Sequence, residues 1–115
     1  MNIGIDWDDT TDLYGKAIGK LAVLCDKKVI ITLNRSITPF KAVSMLGSSV
    51  SDYIVEIMPD DAFDSMNPFD SAARWKHKMC LKHDIDVMID DDETIVRYLE
   101  SKGISCIKVD GEFRQ

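Results

Sequence analysis

Cysteine is scarce in this 115-residue chain. Cys25, Cys80 and Cys106 stand far apart, their number is odd, and no C-x-x-C pair occurs. That argues against a cysteine-rich zinc site and fits reduced thiols in a cytoplasmic setting. On a helix His77 and Cys80 would share a face, but no further ligands complete a zinc shell. Long apolar runs are also missing. None approaches the ~20 residues that a membrane-spanning helix requires, so no membrane partner is expected. The start has neither the basic nor the long apolar region of a secretion signal. There is no internal repeat and no low-complexity tail. A surplus of positive charge is absent too: the formal net charge is -6. Broad, sequence-independent nucleic-acid binding wants a cationic footprint and is disfavoured, whereas a local grip on a nucleotide or a strand end is not.

What is present is enough apolar residue, 45% of the chain, for one globular domain spanning residues 1–115, with no room for a second core. Asn2 to Ile5 reads as a short strand. Thr11 to Leu24 reads as a helix whose Leu13, Ala17, Leu21 and Leu24 recur at three and four residues and form an apolar face. Lys27 to Leu33 is a second strand, rich in β-branched residues, broken at Asn34-Arg35-Ser36. Thr38 and Pro39 make an N-cap and first residue for a helix through about Leu46, ended by Gly47. Tyr53 to Ile57 is a third strand, and Met58 to Asp70, with Pro59 and Pro68, is mostly loop. Ser71 to Lys82 is helical with Ala72, Trp75 and Met79 on one side. Asp86 to Ile89 is a fourth strand, Glu93 to Lys102 a helix closed by Gly103, and Ile104 to Val109 a fifth strand.

This alternation predicts an α/β fold: a mainly parallel five-stranded sheet covered on both faces, a three-layer Rossmann-like core. Ligands in such sheets bind beyond the carboxyl ends of the strands. The first strand ends there in Asp6, Asp8 and Asp9, and the fourth in Asp90, Asp91 and Asp92. Asp92 also suits the N-cap of the following helix. Carboxylates from both strands, Asp6 and Asp8 with Asp90 and Asp91, form a candidate site for a hard divalent cation, and magnesium suits an all-oxygen shell. Phosphoryl transfer needs a nucleophile, a proton donor, a cation and a clamp for the equatorial oxygens. Asp6 can attack phosphorus, and Asp8 can protonate the leaving alcohol and then activate water. Thr10 and Thr32 offer hydroxyls near strand ends, and Arg35 or Lys76 offers positive charge. Asn34 and Arg35, in the turn after the second strand, join Thr10 as candidate substrate-binding residues.

IGIDWDDTTDL resembles the first motif of the haloacid-dehalogenase-like hydrolases, DxDx[TV] after a hydrophobic strand. DVMIDDDETIVRYLESKGISCIKV resembles their fourth motif, an acidic pair followed by a helix and a strand. The likeness implies Asp6 as nucleophile and magnesium ligand. It implies Asp8 as general acid/base, with its backbone carbonyl also on the magnesium, and Asp90 or Asp91 completing the shell. Most members are phosphatases. The last third is similar in layout to the 3'-phosphatase domain of phage polynucleotide kinase/phosphatases, with RWKHKM (Arg74 to Met79) and DGEF (Asp110 to Phe113) as local echoes. That suggests a phosphorylated small molecule, a nucleotide or a nucleic-acid end as substrate.

Three departures from the pattern stand out. Asp9 occupies a position often held by Gly. The second motif expects Ser or Thr at the end of strand two, where Thr32 lies three residues before Arg35. The third motif expects a Lys or Arg early in the helix before strand four. Arg74, Lys76 and Lys78 all lie late, and Lys76 is preferred. The alternative is therefore a weakened relative that binds or regulates without turnover. Only 25 residues separate Asp6 from Thr32, so no cap domain fits there. An uncapped site would admit bulky substrates or be covered by a protein partner or a second copy. Trp7 could stack on a base, with Trp75 and Phe69 as further candidates, although core packing is the competing reading for each.

Overall fold

The computed structural model describes residues 1–111. It has five parallel strands, β1 (Asn2–Ile5), β2 (Lys27–Thr32), β3 (Tyr53–Ile57), β4 (Val87–Asp90) and β5 (Ser105–Lys108), in the order β3-β2-β1-β4-β5. Four helices cover them: α1 (Asp12–Ala22), α2 (Pro39–Leu46), α3 (Pro68–Lys82) and α4 (Glu93–Ser101). The layers are helix, sheet, helix, the capless Rossmann-like core expected from the alternation. No helix among the described residues is long and apolar enough to cross a membrane.

Period-two alternation divides the strands between two cores. Val29 and Ile31 of β2 and Met88 of β4 face α3 and α4, where Ala72, Trp75, Met79, Ile95 and Leu99 meet them. Ile3, Ile5, Ile30 and Ile89 face the opposite way, against Ile18, Ala22, Ala42 and Leu46 of α1 and α2. Gly4 keeps the first face open, since a methyl there would lie 2.7 Å from the Met88 sulfur. The caps of α2 and α4 behave as their residue types predict. The Thr38 side chain accepts a hydrogen bond from the Lys41 N–H with Pro39 in the first turn, and Asp92 accepts from the Ile95 N–H.

Two elements differ from the sequence reading. The third helix begins at Pro68, three residues before Ser71, because proline lacks only a donor that the first turn leaves unused. The face of α1 is the larger correction. Gly15, Ile18, Gly19 and Ala22 are the buried residues. Ala17 is exposed, and Leu21 and Leu24 are 49% and 80% exposed. The two glycines allow the α1 backbone to approach α2 so closely that a methyl on Gly15 would lie 2.6 Å from the Met45 carbonyl oxygen, and one on Gly19 would overlap that of Leu46. Close backbone contact here outweighs the leucine stripe. Gly19→Ala should therefore destabilise by about 3 kcal/mol through overpacking. Leu21→Ala, on the face the leucine pattern favours, should change stability by no more than about 0.5 kcal/mol. Urea midpoints of the two variants test the assignment.

Candidate functional site: an acidic cluster around a buried lysine

The alternation that sorts the core also builds the site. Ile5 pairs with Ile89, and both face α1 and α2. The next residue on each strand, Asp6 and Asp90, therefore turns to the α3 side. Asp6 extends the pairing, its N–H donating to the Ile89 carbonyl at 2.9 Å. On α3, Ala72, Lys76, Met79 and Cys80 form the buried stripe at helical spacing, so Lys76 enters the core directly beneath the two strand ends. It is 2% exposed, and its Nζ donates to Asp90 Oδ2 at 2.7 Å and Asp6 Oδ1 at 2.9 Å.

After Asp6 the chain makes a wide turn over Trp7–Thr11. Asp8 stays extended, and Asp9 takes a left-handed conformation, φ 58° and ψ 16°. That backbone shape explains why glycine suits the position, and Asp is among the side chains that tolerate it. The turn returns Thr10 to the site. Its hydroxyl lies 3.1 Å from Asp6 Oδ2 and 3.2 Å from Asp91 Oδ1, while the Thr11 hydroxyl donates to the Asp6 carbonyl at 2.7 Å. The turn also carries Asp8 towards β2, where Asn34 Nδ2 donates to Asp8 Oδ1 at 3.1 Å. The Thr32 hydroxyl oxygen accepts the Asn34 N–H at 3.0 Å.

Asp6, Asp90 and Asp91 each offer a carboxylate oxygen within 4.8 Å of the others. An octahedral magnesium shell, with bonds of about 2.0–2.1 Å, spans roughly 4 Å between opposite ligands. The set therefore fits after a small inward movement, and its all-oxygen chemistry suits a hard cation. Charge leads to the same conclusion. Three carboxylates face one ammonium, and the excess is what a divalent cation would cancel. Burial disfavours the charged form of Lys76, but Asp6 and Asp90 overcome it and raise its pKa, keeping it protonated. A single ammonium cannot satisfy every acid. Burial raises the pKa of Asp90 beyond what Lys76 offsets, with the Asp6 charge adding to the rise. Burial, followed by the Asp6 and Asp90 carboxylates, raises Asp91 to about 7.

Of the residues expected from sequence, Asp6, Asp90, Asp91, Lys76 and Thr10 meet in one place. Asp8, Asn34 and Thr32 form an adjoining group; the Asp8 side chain is not part of the three-carboxylate cluster. Arg35 lies apart, exposed and paired with Asp60. Trp7 is 6% exposed and packs with Ile3, Ile5 and Ile18, so its ring serves the core and cannot stack on a base; Trp75 is likewise buried. Arg74 pairs with Asp70 on the surface.

Gly111 and Lys108, neither of them among the candidate site residues, border the site. Gly111 sits so close to the acidic pair that a methyl there would lie 2.5 Å from Asp91 Oδ2 and 2.8 Å from the Asp9 Cβ. The preceding carbonyl, of Asp110, accepts from the Tyr14 hydroxyl at 2.7 Å. An Asp-Gly step after the last strand is the sequence signal. Lys108, paired in register with Asp90, lines a cleft of about 320 Å³ together with Asp91, Asp92 and Gly111. A larger cleft of about 490 Å³, walled by Glu56, Trp75, Lys78 and Met79, shares no residue with the cluster.

No known family, curated protein or solved structure matches this chain. The particular likeness to phage polynucleotide kinase/phosphatases is thus left without support, and Glu112 and Phe113 of its DGEF echo lie outside the described residues.

Replacing Lys76 with Met should cost about 3–5 kcal/mol at neutral pH, because it strands Asp6 and Asp90 as buried charges without a counterion. The loss should shrink in acid, as urea melts at two pH values would show. Asp91 has a separate signature. Its carboxyl keeps a proton in the folded chain up to about pH 7, whereas the unfolded chain releases it near pH 4. Between those values the unfolded state binds fewer protons, so metal-free stability falls as pH rises. Asp91→Asn should flatten that slope in a series of denaturation curves from pH 4.5 to 7.5.

Proposed function

We propose that this chain is a magnesium-dependent phosphomonoester hydrolase of the haloacid-dehalogenase-like type. The observation that carries the reading is the convergence of Asp6, Asp90 and Asp91 at the carboxyl ends of β1 and β4, with Lys76 buried between Asp6 and Asp90. Asp6, Asp90 and Asp91 would hold the cation, along with the Asp8 carbonyl implied by the family likeness. Magnesium, when bound, offsets the negative charge of the phosphoryl oxygens.

The chain's own residues then have distinct tasks. Lys76 and Thr10 contact the two oxygens of Asp6 and orient that carboxylate. An Asp6 oxygen attacks phosphorus, the bond from phosphorus to the ester oxygen breaks, and the departing oxygen takes its proton from Asp8. The aspartyl phosphate on Asp6 is hydrolysed by a water whose proton returns to Asp8. Inorganic phosphate leaves, and Asp6 is a carboxylate again. Thr32, with Asn34 and Arg35 beyond it, would lie on the β2 side of a bound phosphoryl group. The capless sheet end admits a nucleotide or a nucleic-acid 3' end, and a second copy or another protein would serve as its lid.

A second reading, a protein that keeps the pocket and binds without turnover, is favoured by one observation. Thr32, whose hydroxyl is the one expected to meet the phosphoryl group, is 1% exposed. Phosphate release from a chromogenic phosphoester separates the two. The hydrolase should turn over with magnesium, stop on chelation and lose all measurable activity in Asp6→Asn. Asp8→Asn should lower kcat by about 10²–10⁴-fold while magnesium affinity persists. Magnesium binding by calorimetry without any phosphate release would establish the second reading instead.

A further inference from the structure

Beyond the ends of β2 and β3 a cleft of about 210 Å³ opens between Leu33, Arg35, Met58, Pro59, Asp60 and Phe63. None of these belongs to the acidic cluster; the cleft is related to the site through the turn after β2. Leu33 and Arg35 flank Asn34, whose side chain touches Asp8. The connecting turn is well braced. The Asn34 N–H donates to Thr32, and the Ser36 N–H and hydroxyl donate to Asn34 Oδ1 at 2.9 and 2.7 Å. One wall of the cleft is thus tied through the chain to the residue that contacts the proposed general acid.

The lining selects a kind of occupant. Leu33 and Phe63 are 40% and 46% exposed, and Met58, 5% exposed, lies deeper. Apolar side chains across a small cleft gain by receiving a flat apolar body in place of water. Arg35 adds a planar guanidinium at the rim, where it meets Asp60 in a solvent-exposed pair. Such pairs hold their partners weakly, and a guanidinium lies readily over a ring face. The volume falls below the roughly 300–1,000 Å³ of pockets that enclose a whole drug-sized ligand, so it suits a ring system and not an entire substrate. A neutral ring also meets no repulsion from this acidic chain.

We propose that the cleft seats the heteroaromatic ring of the leaving group, which makes the substrate a nucleotide-type phosphomonoester. The ring stacks on Phe63 between Leu33 and Arg35 while the ester oxygen faces Asp8. This rests on the hydrolase reading, because the alcohol must depart on the side of its proton donor. An aliphatic alcohol would leave both apolar walls in water.

The test compares kcat/KM for adenosine 3'-monophosphate and for glycerol phosphate in the full chain with magnesium. The ratio should be roughly ten or more and fall about tenfold in Phe63→Ala, in line with the loss of one base–aromatic stack. Phe63 is half exposed, so this variant should fold, and Arg35→Ala should move the ratio the same way. A ratio near one, or a ratio unchanged in Phe63→Ala, overturns the ring site and leaves the hydrolase reading standing. If neither ester is hydrolysed, adenosine titrated into isotopically labelled chain decides the ring site by itself, and the chromogenic ester decides the hydrolase reading. Saturable NMR shifts at Leu33, Met58 and Phe63 that vanish in Phe63→Ala support it. No shifts at 10 mM adenosine, or shifts only elsewhere, overturn it.

Discussion

One ammonium held between two carboxylates organises this molecule. Lys76 arrives from α3, Asp6 from β1 and Asp90 from β4, so a single buried group ties two adjacent strands to the helix that covers them. Ion pairs in a protein interior often repay little more than their desolvation cost, so net stability is a poor reason for this one to exist. Its evident effect is on position. A one-residue slip of β1 against β4 would turn Asp6 away from α3 and drive an isoleucine into its place. The arrangement thus links the alignment of the sheet to the alignment of the carboxylates.

The same group leaves the site electrically incomplete. Asp91 joins Asp6 and Asp90, and the lysine cannot balance all three. The shortfall appears as raised proton affinity at Asp90 and Asp91, where burial withdraws the water that would otherwise stabilise negative charge. A proton or a divalent cation relieves it. Asp91 is the member that reaches the outer cleft, alongside Lys108 and Gly111, so exchange with solvent is available on that side. On the other side the wide turn after β1 carries Asp8 to Asn34 in the turn after β2. The acidic centre therefore has a charged flank towards β5, and a separate, partly apolar cleft lies past the ends of β2 and β3.

Helix α1 shows how backbone packing overrides side-chain pattern. Leu13, Ala17 and Leu21 are spaced as a buried stripe would be, yet Leu13 is only half-buried and the other two are exposed. Gly15 and Gly19 offer α2 a surface with no side chains, and the two backbones come into direct contact. Burial of Ile18 and Ala22 on that face completes the core. Leu21 is left as exposed apolar surface, together with Val23 and Leu24 just past the helix.

Much of this protein could be read from its residues. Strand runs rich in Val and Ile, proline and capping residues at helix starts, and acids at two strand ends are local signals, and local chemistry reports them faithfully. Parallel order followed from the strand–helix alternation, which puts Asp6 and Asp90 at the same end of the sheet; that β1 and β4 are neighbours was decided by the strand order. The choice of Lys76 among three basic residues had a signal too, since a charge on the apolar stripe of a helix needs a buried partner. Other features depended on distance in space. Which face of α1 turns inward, whether Trp7 serves ligand or core, that Arg35 turns to Asp60, and that Gly111 closes on Asp91 were decided by contacts between segments far apart in the chain. Periodicity records which faces are apolar. Only the assembled sheet determines which of them another backbone can reach.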